Sequence, residues 1–338
     1  MNLDMICGFL PEFRPLFLRR YEVMEFIKRN PGVGRRTISE RMRLSERTVR
    51  EEIETLKDLG LVTVSGAGTM LTREGKLMCN NLQQLYSGLN KLNELSVRLE
   101  ELLGVREVLV VKGDSAKVDA AMTNLGAAGA KFLAEAICAG DVIGVTGGRT
   151  LHALAREMPS STTMENVTFV PARGGLGSSA EHQANTIVAH LAMKCGAQYK
   201  LLSLPDDVGQ EALDYLLKNE DVREAYRALH HLDILVFGIG RADRMSHVRH
   251  LNEKKRQEIL AKGAVGEAFG HYFTLDGKEV YGQNSVGLSL DDFSKIPRVI
   301  GIAGGAEKAE AIVAISRVHP DMTLIIDEPA AREINAML

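Results

Sequence analysis

Cysteine is scarce and scattered in this chain. Cys7, Cys79, Cys138 and Cys195 form no Cys-x-x-Cys pair and show no metal-ligand spacing. They read as reduced thiols, and a cytoplasmic location is expected. Apolar runs are short, and none approaches the roughly 18 residues of a membrane-spanning helix. No membrane partner is therefore expected. The N-terminal stretch carries Asp4, Pro11 and Glu12 around a few apolar residues, without a small-residue cleavage pattern, so no signal peptide is expected. No Gly-x-Gly-x-x-Gly closes the first strand candidate, which argues against a dinucleotide fold of the usual kind. His247 and His250 stand on one helical stretch, yet no carboxylate or thiol completes a ligand set. Neither a metal nor a cofactor is expected.

A length of 338 residues exceeds one ordinary core and points to two domains. The net charge is -3, but residues 1–78 hold fourteen Lys/Arg against eleven Asp/Glu. A small basic N-terminal unit is compatible with nucleic-acid contact.

That unit shows a helix–turn–helix with a wing. Leu16, Phe17, Tyr21, Met24 and Ile27 recur at helical spacing from Arg14 to Asn30, where Pro31-Gly32 stops the helix. Gly34 to Arg43 reads as a second helix with Ile38 and Met42 on one face. Ser45 is an N-cap candidate for a third helix, whose stripe is Val49, Ile53, Leu56 and Leu59, with Gly60 just past its end. This arrangement leaves Arg47, Thr48, Arg50 and Glu51 outward, where a recognition helix presents its first residues to the major groove. Arginine suits guanine edges or phosphates, and threonine a methyl group or phosphate. Leu61–Val64 and Thr69–Thr72 flank a glycine-rich tip, Ser65-Gly-Ala-Gly68, as a β-hairpin would.

Leu82, Leu85, Leu89, Leu92, Leu95, Leu99 and Leu102 alternate steps of three and four along one long helix. Such a seam packs either on the body of its own chain or against a second chain; the second is expected, giving a homo-oligomer, dimer or tetramer. From Val105 the rhythm is strand, glycine turn, helix. Strand candidates are Glu107–Lys112, Val142–Thr146, Val167–Pro171, Tyr199–Pro205, Ile234–Gly238, Val299–Ala303 and Thr323–Asp327. The alternation argues for an α/β domain with an open, mostly parallel sheet.

Two strand candidates end in Gly-Gly before a helix, at Gly147-Gly148-Arg149-Thr150 and at Gly304-Gly305 ahead of Lys308. Glycine permits close backbone approach, and a helix start offers unpaired N–H groups, so two such loops could seat two phosphates of one small molecule. Arg173, among small residues, can aim a bidentate fork at phosphate. Gln183 opens the next helix, where it could reach a sugar hydroxyl. Arg249 could supply a second phosphate contact, and Glu267, between glycines beside Phe269, could hold sugar hydroxyls. A catalytic reading, as a sugar-phosphate isomerase or deaminase, needs a positioned acid–base pair. Glu267 is the only plausible acid and no His or Asp obviously partners it, so no catalytic residue is assigned.

With these residues in view, the chain resembles the central glycolytic genes regulators of Gram-positive bacteria, within the SorC/DeoR-like repressors. The likeness is densest in Gly34-Arg35-Arg36, Leu44–Arg50, Val145–Gly148, Phe169–Gly177, Gln183–Thr186, Gly238–Gly240, Val265–Gly270 and Ala303–Gly305. It implies a winged helix–turn–helix over 1–76, a linker helix over 77–104 and a Rossmann-like, sugar-phosphate-isomerase-like effector domain over 105–338. It implies operator double-stranded DNA as one partner, contacted by Arg35, Arg36, Ser45, Arg47, Thr48 and Arg50. The other implied partner is fructose-1,6-bisphosphate or a related sugar phosphate. Gly147, Gly148, Thr150, Arg173, Gln183, Arg249, Glu267 and Lys308 would line its pocket. Arg149 departs from the family, which usually has threonine there; a longer cation either strengthens phosphate binding or swings outward.

Overall fold

A computed structural model describes residues 7, 9–42, 44–66, 68–160, 164–175, 179–202, 204–205, 208–282 and 286–338, with the backbone alone for 84, 87–91 and 210. Asp4, Arg43, Ala67, Leu176, Gly177 and the side chain of Leu89, all invoked above, fall outside that set. The chain divides into two compact units, 1–93 and 94–338.

In the first unit, α1 (Phe13–Arg29), α2 (Arg35–Met42) and α3 (Glu46–Asp58) precede a hairpin of β1 (Val62–Ser65) and β2 (Gly68–Leu71). The stripes close one core: Tyr21, Met24, Ile27, Ile38, Val49, Ile53 and Leu56 are all buried. Each such side chain contributes about 1.5–3 kcal/mol by leaving water. Ser45 caps α3 by accepting from the Thr48 amide at 3.0 Å. The hairpin seats on the turn before α2, because Gly32 N–H donates to the Thr69 carbonyl and Thr69 N–H to that of Val33. Leu59 departs from expectation: it is exposed, and the buried stripe ends at Leu56. Leu59 is the C-cap of α3, the last residue before the turn at Gly60 (φ +72°), and it lies beyond the buried part of the stripe.

α4 (Arg73–Leu103) is a single 31-residue helix. Over its last turns Leu99 is fully buried, while Ser96 Oγ and Glu100 Oε1 accept from the Val110 and Val108 amides of β3. That part of the leucine seam therefore packs on its own chain. Leu102, expected in the seam, is exposed, and Leu103 is buried instead.

One sheet of the second unit has seven strands: β3 (Glu107–Val111), β4 (Val142–Val145), β5 (Thr168–Pro171), β6 (Gln198–Tyr199), β7 (Ile234–Gly238), β12 (Arg298–Ala303) and β13 (Met322–Asp327). They are all parallel, in the order β3-β13-β12-β7-β4-β5-β6. Helices α5 (Asp119–Ala136), α6 (Arg149–Glu157) and α7 (Ala184–Cys195) supply Leu125, Leu133, Leu151, Leu154, Ile187 and Leu191 to a core with Ile143, Val145, Phe169, Val236 and Ile302. The strand expected over 199–205 shrinks to the two residues of β6, with Pro205 making only an isolated bridge to Gly175.

Between β7 and β12 lies a second sheet that the sequence reading did not anticipate. After α8 (Gln210–Leu216) and α9 (Glu220–Leu229), β8 (Gly240–Arg241) follows β7 almost at once. α10 (Ala242–Val248) and α11 (Glu253–Ala261) lead to β9 (Ala264–Ala268), β10 (His271–Thr274) and β11 (Glu279–Gly282). These four strands pair antiparallel in the order β11-β10-β9-β8. Gly266 lets β9 lie against α13 (Ala309–Ser316), where a Cβ would stand 3.1 Å from the Ala311 carbonyl oxygen. α12 (Leu290–Phe293) and the terminal α14 (Glu328–Met337) complete the unit.

Candidate functional site

β4 and β7 are neighbours, yet the chain leaves β4 toward β5 and β6 on one side and leaves β7 toward β12 and β13 on the other. That reversal opens a crevice at the carboxyl ends of the strands, the usual ligand position in an open α/β sheet. Loops after β4, β5, β7 and β12 converge there. They carry Gly147 to Thr150, Arg173, Gly238 to Gly240, and Gly304 to Lys308.

The first glycine loop is packed from behind. Gly147 admits no side chain, because a Cβ would stand 2.6 Å from the His182 carbonyl oxygen. Gly148, with φ +118°, gives its N–H to that carbonyl at 2.8 Å. The amides of Arg149 and Thr150 open α6 and have no partner among the described residues. Thr150 is buried and Arg149 exposed. Gln183 occupies the N-cap position of α7, and a Cβ on Gly175 would meet its Oε1 at 3.2 Å, so the loop after β5 folds back on itself, while its His182 carbonyl meets the loop after β4.

The second glycine loop differs from a simple phosphate cradle. Its Gly305 N–H is already engaged by both oxygens of Asp327, at 2.9 Å each. Asp327 also accepts from the Ser115 amide and hydroxyl, at 2.9 and 2.7 Å, and caps α14 through the Ala330 amide. Lys308 stands at the end of the following 3-10 turn. Burial lowers its pKa below the ordinary lysine value; Glu307 opposes the shift, and the nearby cations Arg149 and Arg244 add to it.

Three distant residues form one buried ionic cluster. Arg249, just past α10, donates to Glu267 Oε1 from Nε at 3.0 Å and from Nη2 at 2.6 Å. Arg173 Nη1 lies 3.8 Å from the same oxygen, and the Gly270 amide donates to it at 2.6 Å. Arg173, Arg249 and Glu267 are 3, 8 and 2% exposed, so these charges are shielded from water. Breaking a buried pair by deleting one partner costs about 3–5 kcal/mol. β7 links this cluster to the first loop: Gly238 N–H donates to Thr146 Oγ1 at 3.2 Å, and a Cβ on Gly240 would stand 3.4 Å from Glu267 Oε2. Glu267, which no strand candidate included, is thus a strand residue with Gly240 as a neighbour across the sheet.

Sequence reasoning passed over Arg244, Ser115 and Asp327. Only Asp327 carried a signal: an aspartate at a strand end followed by Glu-Pro is a helix-start pattern.

In the first unit Arg35, Arg36, Arg47 and Arg50 are exposed, while Thr48 is half-buried. The Ser45 and Thr48 hydroxyls bond each other at 2.7 Å, so both are engaged in the cap. Glu52, on α3, is buried and grips Arg19 and Arg20 of α1, each at 2.8 Å.

The family described as a sugar-binding domain matches residues 87–335, and the family described as the CggR N-terminal DNA binding domain matches 16–86. The central glycolytic genes regulator of Bacillus subtilis is 34% identical over 325 residues, covering 96% of each chain. The chain belongs to this family of SorC-type transcriptional regulators. The regulator of the same description from Priestia megaterium is 35% identical over 326 residues, covering 96% of this chain and 95% of its own. Among solved structures, a SorC-family regulator from Enterococcus faecalis aligns with a TM-score of 0.67 and 34% identity, over 72% of this chain and 99% of its own. The full-length sorbitol operon regulator from Klebsiella pneumoniae shares the fold, with a TM-score of 0.66 at 18% identity over 93% of this chain and 97% of its own. The regulator thus joins a DNA-binding domain to a sugar-binding one, and no helix among its described residues is long and apolar enough to cross a membrane.

Proposed function

We propose that this regulator represses glycolytic genes and that a phosphorylated sugar, fructose-1,6-bisphosphate first, modulates its grip on operator DNA. The observation that carries the reading is the buried Arg173–Glu267–Arg249 cluster at the crevice. It holds guanidinium donors, which suit phosphate oxygens, beside a carboxylate acceptor, which suits sugar hydroxyls. Lys308, crowded by Arg149 and Arg244, is a second anion-seeking position in the same crevice, relieved by an arriving phosphate. The first-turn amides of α6 at Arg149 and Thr150, beside Gly147, Gly148 and Gln183, complete the pocket. Arg35, Arg36, Ser45, Arg47, Thr48 and Arg50 form the DNA-contacting set, with the two capping hydroxyls holding the helix start and the arginines reaching outward. Function as an oligomer in the cytoplasm belongs to the same reading. Glu267 has no catalytic role in it: its Oε1 is taken up by Arg249 and the Gly270 amide.

Ligand can change DNA affinity only through different affinity for DNA-competent and incompetent states. The test is operator binding titrated with fructose-1,6-bisphosphate at fixed salt, because phosphate contacts make affinity salt-dependent. Loss of operator affinity at millimolar ligand is expected. Arg173→Ala should bind operator yet ignore the ligand; release equal to that of the parent chain removes Arg173 from the pocket, and no response in the parent chain rejects the mechanism.

A further inference from the structure

Three of the four arginines selected for DNA contact meet a glutamate four residues on. Arg36 pairs with Glu40 at 3.2 Å, Arg47 with Glu51 at 2.9 Å and Arg50 with Glu54 at 2.9 Å. All six side chains are well exposed, the least of them at 58%. Helix stability explains this repeat poorly. Arginine ahead of glutamate is the weaker of the two orders at that spacing, and exposed pairs contribute little in any case. Charge supplies the better account. Residues 35–58 hold seven Lys/Arg and six Asp/Glu, so the helices meant to approach DNA are close to neutral.

Affinity for DNA of any sequence comes mainly from cations on phosphates, with release of counterions. A carboxylate beside each arginine removes much of that gain. To reach a phosphate the guanidinium must leave its partner and bring the partner's negative charge toward the backbone. A matching base pair changes the balance, since guanine offers two acceptors to one arginine fork and the cytosine amino group can donate to a glutamate.

We propose that Glu40, Glu51 and Glu54 are specificity determinants of this head: they neutralise Arg36, Arg47 and Arg50 against generic backbone contact and release them to base edges. Discrimination then arises from penalising the wrong partner as much as from rewarding the right one. The inference rests on the assignment of α2 and α3 to DNA contact.

The experiment compares the full-length chain with Glu51→Gln, Glu54→Gln and the double variant. Asp58→Asn serves as a control, removing an exposed charge from the far end of α3 that has no ion-pair partner among the described residues. Glutamine keeps the length and helix propensity of glutamate, and thermal melting checks that each variant folds. Two probes are titrated at several KCl concentrations: a duplex of random sequence, and the duplex that the parent chain enriches from a randomised library. The double variant should bind the random duplex about tenfold tighter, with a steeper salt dependence, while the enriched duplex gains at most about twofold. Asp58→Asn should move either affinity by less than about twofold. Equal gains on both duplexes would overturn the proposal, as would an Asp58→Asn variant that reproduces the loss of discrimination. If the parent chain enriches no sequence at all, the DNA-reading assignment of α2 and α3 fails first, and this proposal with it.

Discussion

Removing the carboxylate of Asp327 should destabilise the second unit severely. Asp327 is 1% exposed and gathers four donors: the amides of Ser115, Gly305 and Ala330 and the Ser115 hydroxyl. Asp327→Ala strands three amides where little or no water can reach them. Each stranded donor costs about 1–3 kcal/mol, and loss of the α14 cap is part of that sum. The effects overlap, because the loops can relax together, so about 4 kcal/mol is expected in total. That is a large share of the roughly 5–15 kcal/mol that holds a domain folded. Ser115→Ala removes only the hydroxyl and leaves Asp327 its other donors, so about 1–1.5 kcal/mol should go. Asp327→Asn should fall between, since one oxygen remains while an amino group faces a donor. Urea unfolding followed by far-UV circular dichroism, with linear extrapolation to zero denaturant, measures each loss. A loss below about 1 kcal/mol for Asp327→Ala would refute the view that this carboxylate ties β13, the Ser115 loop and the second glycine loop together.

Two further outcomes follow from the geometry. Gly270→Ala should weaken effector binding and cost at least about 1 kcal/mol of stability, since Gly270 has φ +95° and a Cβ there would stand 2.4 Å from Arg173 Nη1. Titration calorimetry with fructose-1,6-bisphosphate checks the first effect, and parent-like affinity would free Arg173 from that constraint. Burial, chiefly, holds the His190 pKa below its ordinary 6.5, with Lys194, His152 and Arg156 adding to the shift. The unfolded chain then takes up more protons than the folded one as pH falls below 6.5, so stability is full above that value and declines beneath it. Urea midpoints from pH 7.5 to 5.5 should decline with acid, and less so in His190→Gln; a flat profile would contradict the assignment.

The elements that were legible beforehand are those with a regular apolar period. The stripes of α1 to α3 place themselves, and Ser45 marks where α3 begins. Five of the seven parallel strands read directly because each is buried on both faces and nearly all apolar, and β3, at the edge of the sheet, reads by its alternation of exposed and buried residues. The antiparallel sheet escaped because β8 to β11 lack that period. Val265-Gly266-Glu267 puts a glycine where β9 must approach Ala311 of α13 and a charged residue where an apolar one would be expected. Both are strand breakers by composition, and only the partners across the fold, Arg249 and Ala311, account for them. Leu59 shows the converse: it continues the spacing of the stripe, but as the C-cap of α3 it stands exposed at the helix end.

The same cluster constrains how an effector could act. The Nε and Nη2 donors of Arg249 both go to Glu267 Oε1, the oxygen that also receives the Gly270 amide between β9 and β10. A phosphate that used those two donors would have to displace Glu267 and with it the Gly270 turn. A ligand that instead offered a hydroxyl to Glu267 Oε2 would leave the ion pairs whole and tighten them. The two binding modes would therefore leave Glu267 in different arrangements: the first gives up its contacts to Arg249 and the Gly270 amide, and the second keeps them. Only a ligand that prefers one of these arrangements can move the balance between them. A sugar carrying both hydroxyls and phosphates at fixed separation could offer a hydroxyl to Glu267 Oε2 while its phosphates reach cations other than the two Arg249 donors, which inorganic phosphate cannot.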